Sequence, residues 1–138
     1  MRFVTDTNVA ISALLWGGRP RELLRRAFDP AQLLLFSSPV LLSELERVLA
    51  YPKLQRQIAK TGLSPDALYF HYRSIVTIVE PAEVRQLVAR DPDDDHVIAA
   101  ALTAQADAIV SGDDDLLAMG DAAGVPVLRV GEALGLFI

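Results

Sequence analysis

The chain has 138 residues, of which 51% are hydrophobic, with no cysteine, two histidines and a formal net charge of −5. A length of this order suits one compact domain burying roughly two-thirds of the surface its unfolded chain exposes. No apolar run approaches the ~20 residues of a membrane span, the lack of cysteine excludes disulfides and thiolate metal sites, and the acidic balance argues against a broadly basic nucleic-acid-binding surface while allowing a local one.

In chain order, Met1-Arg2 run directly into a strand-like segment without the basic and apolar leader of a secretory signal, so a cytoplasmic protein is expected. Short β-branched or apolar runs predict strands at 2–6, 33–37, 76–80, 108–111 and 126–130. Longer patterns between them predict helices at 8–15, 20–28, 39–50, 53–60, 64–74, 95–106 and 114–123, with a turn of helix near 131–136. Ser38-Pro39 and Ser64-Pro65-Asp66 read as N-caps followed by proline in the first turn, and Gly62 and Gly124 suit helix ends. Strands alternating with helices are the signature of βαβ units and a parallel sheet. No repeat or low-complexity linker divides the chain, so residues 1–138 are expected to form a single domain, with the two helices of 51–75 as an arm between the second and third strands.

Four acids stand out. Asp6 in FVTDTNV and Asp113 in AIVSGDDDLL each follow a strand and open a helix, which puts both at the carboxyl edge of the sheet, where open α/β folds bind ligands. Asp95, in RDPDDDHVIAAAL, is expected at a helix start, where free N–H groups orient a carboxylate. Carboxylates gathered in one pocket repel one another unless a cation joins them, and an oxygen-only donor set suits Mg²⁺ or Mn²⁺. Capping and loop roles explain Asp93 to Asp95 and Asp113 to Asp115 equally well. Asp6, ending a central strand beside Thr7 and Asn8, is half-buried by expectation and needs a partner. On the helix from Pro39, Leu41, Leu42, Leu45, Val48 and Leu49 form the core arc, with Glu44 and Glu46 on opposite flanks, and spacing does not choose between those two.

Four segments, V-T-D-T-N-V, S-E-L-E-R-V-L, D-P-D-D-D-H-V-I-A-A-A and I-V-S-G-D-D-D-L-L, in this order and over essentially the whole chain, resemble the PIN domain, the nuclease fold of many toxin components of bacterial toxin–antitoxin pairs. The resemblance implies a three-layer α/β/α sandwich on a five-stranded parallel sheet of order 3-2-1-4-5. It implies an acidic site of Asp6, Glu44, Asp95 and Asp113, with Asp115 a fifth member. Asp6, Asp95 and Asp113 would bind Mg²⁺ or Mn²⁺, Glu44 would bind a second ion or orient water, and Asn8 and Ser111 would hold these groups by hydrogen bonds. The implied chemistry is metal-assisted hydrolysis of an RNA phosphodiester, and the implied partners are a cognate antitoxin and a second copy of the chain. Asp114 departs from the pattern, since related sequences often carry a basic residue there.

Arg19, Arg21 and Arg25 are candidates for phosphate contact, Arg21 and Arg25 sharing a helix face at i, i+4; a solvated flank paired with Glu22 is the plainer reading of each. Tyr69, Tyr72 and Arg73 share another face, better suited to packing than to base stacking. His96 and His71 receive no role. Two other readings compete. The segment GDDDLLAMGDAAGV is similar to the last motif of haloacid-dehalogenase-like phosphatases, with Asp6 as their nucleophile, although Asn8 stands where those enzymes place an aspartate. A PIN-like protein-binding module with an attenuated site is the other. The apolar tail Leu134–Ile138 reads as core packing.

Overall fold

The structure is a computed structural model that describes residues 1–81 and 92–137. Its centre is β1 (Arg2–Thr5), paired in parallel with β2 (Leu34–Ser37) on one side and β4 (Ala108–Val110) on the other. β3 (Thr77–Ile78) extends the sheet beyond β2, and β6 (Val125–Leu128) extends it beyond β4, both in parallel. The five predicted strands therefore lie in the predicted order. The sheet has six strands, however, because β5 (Asp121–Ala122) pairs antiparallel with β6 at the edge, giving β3-β2-β1-β4-β6-β5. Ala123 (φ 52°) and Gly124 (φ 93°) form the connection. Two successive left-handed residues match the twist of a two-residue hairpin. The helix expected at 114–123 accordingly ends at Met119, and Gly124 turns a hairpin instead of ending a helix.

The sheet separates two apolar layers. Phe3, Leu35 and Val110 face α1 (Thr7–Leu15), α2 (Gly18–Arg26), α3 (Pro39–Leu49), α5 (Pro65–Ile75) and α8 (Val130–Leu134). Val4, Phe36, Ile109 and Val127 face α6 (Pro92–Ala104) and α7 (Asp114–Met119). The alternation of successive strand residues between the two layers follows from the two-residue period of a strand. Between α3 and α5 the arm holds a single 3₁₀ turn and α4 (Gln55–Lys60). Near the end of the chain, Phe137 packs edge-on against Phe3 at 6.0 Å between ring centroids; Leu136 is exposed, and Ile138 lies outside the described residues.

The start of α3 shows how local sequence fixes an element. The hydroxyl of Ser38 accepts from the Leu41 N–H at 3.3 Å, and Pro39 occupies the first turn, where its missing N–H costs nothing. Ser64 does the same for α5 through Ala67. Ser38→Ala is expected to destabilise the chain by about 1 kcal/mol; chemical denaturation should show a lower midpoint with an unchanged slope.

Candidate active site

β1 ends at Thr5, β4 ends at Val110, and the two are register partners. The chain leaves β1 toward β2 on one side while β4 lies on the other, so Asp6 and Ser111-Gly112-Asp113 emerge at the point where the strand order reverses. Asp6 caps α1, its Oδ1 accepting from the Val9 N–H at 2.9 Å. Its Oδ2 accepts a short hydrogen bond from the Ser111 hydroxyl, and the same Ser111 oxygen accepts from the Asp113 N–H at 2.9 Å. Asp113 caps α7 through the N–H groups of Asp115 and Leu116. Capping and siting are thus one arrangement: the N–H groups that satisfy the carboxylates also hold them at the sheet edge.

Asp6 is 6% exposed. Burial pushes its carboxyl above the ordinary value of 3.8, the Ser111 hydroxyl and the Val9 and Gly112 N–H groups pull it back, and the charge of Asp113 adds to the rise. Beneath it, the Thr5 hydroxyl meets the Tyr72 hydroxyl at 2.8 Å, tying the arm helix α5 to the end of β1. Burial raises the Tyr72 phenol to about 12, with the Thr5 bond opposing and the Asp6 charge reinforcing the shift. Tyr72 is therefore a neutral packing group under the site.

On α3, Glu44 is half-buried, and its Oε2 accepts from the Thr7 hydroxyl at 2.8 Å. Glu46 is exposed on the other flank. Tertiary packing thus selects Glu44, which with Asp6, Thr7, Asn8, Asp94, Val97 and Asp113 lines a polar depression of about 60 Å³. Asp94 was not among the sequence candidates. α6 begins at Pro92, three residues earlier than the expected 95, and Asp94 shares a helix face with Val97 at i, i+3. Asp95 is buried as well, but sits about 100° further round the helix, and does not line the depression. Asp115 is exposed and contributes only its N–H to Asp113.

The profile of the PIN domain matches residues 2–115. The chain belongs to the PIN domain family. The structure of PAE2754 from Pyrobaculum aerophilum is similar to it with a TM-score of 0.61, covering 99% of this chain and 89% of that one at 14% sequence identity, a likeness of fold alone. No curated protein matches the chain. PIN domains are typically metal-dependent nucleases. The phosphatase reading is not favoured, and Ala123 and Gly124, at the end of the segment similar to those enzymes, form a hairpin turn.

Among the described residues of this PIN domain, no three acidic or histidine side chains converge tightly enough to enclose an ion by themselves. The carboxylates of Asp6, Glu44 and Asp113 are each turned to hydrogen-bond donors, and like charges hold apart. An oxygen-only donor set beside room for on the order of four waters fits Mg²⁺, which keeps much of its water shell and takes one or two carboxylates plus substrate phosphates. A closed all-protein cage of Asp6, Asp95, Asp113 and Asp115 does not fit.

The three arginines expected to contact phosphate do not line the depression. Arg21 reaches back to the last turn of α1, donating to the carbonyls of Ala13 at 3.1 Å and Leu14 at 3.2 Å, which have no partner within their own helix end. Arg19 packs against the first turn of α8, where its guanidinium comes within 2.8 Å of the place a Cβ on Gly131 would occupy. Arg25 remains exposed beside a larger groove of about 590 Å³ between α2 and the arm. Arg21→Ala is expected to cost about 1–3 kcal/mol of stability by stranding those carbonyls and to leave RNA affinity unchanged; thermal unfolding and an RNA-binding titration together check it.

Proposed function

We propose that this PIN domain is a Mg²⁺- or Mn²⁺-dependent endoribonuclease acting at the depression ringed by Asp6, Glu44, Asp94 and Asp113, and that it serves as the toxin of a toxin–antitoxin pair. The observation that carries the nuclease reading is the convergence of these four acids from four separate segments at the strand-order reversal of a PIN fold. The toxin role rests on the motif resemblance, which also suggests an antitoxin that covers the cleft and a homodimer.

A divalent ion held there would activate water for attack on the phosphodiester and neutralise charge developing on phosphate oxygens. Asp6, Asp94 and Asp113 are the proposed ligands, directly or through water. Glu44, which accepts a hydrogen bond from Thr7, would accept a proton from the attacking water or hold a second ion. Ser111 keeps Asp6 aimed and links it to Asp113, so the two shift together. Asn8, exposed at the rim, offers an amide to substrate or solvent.

The test incubates structured RNAs with the protein plus Mg²⁺ or Mn²⁺, and separately with chelator. Cleavage that requires the cation is the expected result; intact RNA under both conditions overturns the nuclease reading, and phosphate released from small phosphomonoesters instead would point to a phosphatase. For the toxin role, expression should arrest growth in a manner that Asp6→Asn abolishes.

A further inference from the structure

The outer face of α3 presents Val40, Ser43, Glu44 and Arg47 at helical spacing, and with Pro39 they line a groove of about 280 Å³. Glu44 is a wall of both this groove and the acidic depression, so the two adjoin. Pro39 and Val40 in turn border a hollow of about 220 Å³ that reaches His96. Arg47 is exposed in the last turn of α3. Among the described residues the only ion pair joins Arg26 and Glu22, so Arg47 does not pair with Glu44 one turn away.

We propose that the α3 groove seats the sugar–phosphate backbone of single-stranded RNA beside the bond to be cut, with Arg47 donating to a phosphate next to the scissile one. The inference rests on the ribonuclease reading above. A polyanion entering a cleft of four carboxylates on a chain of net charge −5 needs a cation at the cleft itself. Arg19 and Arg21 are engaged at the ends of other helices, and Arg26 lies over the Phe137 ring at 5.0 Å. Among the described residues, Arg47 is the arginine that shares a groove with a wall of the depression. Three helical residues from Glu44 to Arg47 advance about 4.5 Å along the axis, of the order of one nucleotide step, and a guanidinium matches the paired oxygens of a phosphate. Among the described residues the groove walls carry no aromatic ring on which a base could stack, so the contact would hold the backbone without reading sequence.

Binding of a short single-stranded RNA, followed by fluorescence anisotropy with Ca²⁺ and again with chelator, tests this in the wild-type chain and in Arg47→Ala, Arg47→Lys and Arg25→Ala. Arg47→Ala should weaken binding roughly 5–10-fold and reduce the slope of log affinity against log salt by about 0.7, the share of one phosphate contact on a single strand. Arg47→Lys should restore the salt slope, since the charge is kept, but only part of the affinity, since the paired fork is lost, and Arg25→Ala should match wild type. Unchanged affinity and slope in Arg47→Ala, an equal loss in Arg25→Ala, or no RNA binding by the wild type would each overturn the proposal. Arg47-dependent binding without cleavage when Mg²⁺ or Mn²⁺ is supplied would leave the groove standing and defeat the nuclease reading; cleavage with an unaltered Arg47→Ala affinity would do the reverse.

Discussion

Asp6→Asn is expected to lower cation-dependent RNA cleavage by about 10²–10³-fold, the loss typical when one preorganised charge-stabilising group is removed, while keeping the fold. Asparagine caps a helix about as well as aspartate, so the start of α1 should survive and the charge alone is lost. The variant also exposes what the carboxylate costs. Because burial raises its pKa in the folded chain, below pH 3.8 Asp6 is protonated in both states and imposes no penalty. Between 3.8 and the higher folded value the unfolded chain releases its proton first, and stability falls as pH rises; above the folded value the whole cost is present. At neutral pH without divalent ions, Asp6→Asn should therefore melt at a higher temperature than wild type, and the gap should close in acid. Added Mg²⁺ should raise the wild-type midpoint and leave the variant's unmoved, since a ligand stabilises only the chain that binds it. Cleavage by wild type should decline in acid, as protons compete with the cation for this carboxylate. Undiminished cleavage by Asp6→Asn would remove Asp6 from the site.

The second large effect separates neighbouring acids. Asp94→Asn should reduce cation affinity and cleavage by about 10–100-fold or more, because Asp94, on a helix face shared with Val97, borders the depression. Asp95 is 4% exposed and does not line the depression. Asp95→Asn should therefore act mainly on stability, by about 1–3 kcal/mol, and keep most of the cleavage. Isothermal titration with Mn²⁺ and a cleavage assay on both variants decide the matter; loss of cation binding in Asp95→Asn with Asp94→Asn unaffected would return the role to Asp95.

Sequence alone determined the elements whose signals are local. β1, β2 and β4 lie within a residue of their expected ends because short apolar runs bounded by polar residues mark buried parallel strands. Ser38-Pro39 and Ser64-Pro65 start helices through hydroxyl caps only three residues from the N–H groups they satisfy. The carboxyl-edge placement of Asp6 and Asp113 follows from the same strand-to-helix grammar. Tertiary structure decided what depends on distant partners. The two-residue strand β5 exists only by pairing with β6, and its turn places Ala123 in a conformation its residue type does not announce. Glu44, which helical spacing left level with Glu46 and only the motif resemblance preferred, is held by Thr7, 37 residues away in the chain. Asp94 is separated from Asp95 at the depression by the phase of α6, since a helix rotates about 100° per residue and neighbouring side chains face different ways. Arg21 resembled a phosphate ligand until the end of α1 was in view. Local periodicity fixes which residues form an element, while the face that element presents to a site is fixed by what packs against it.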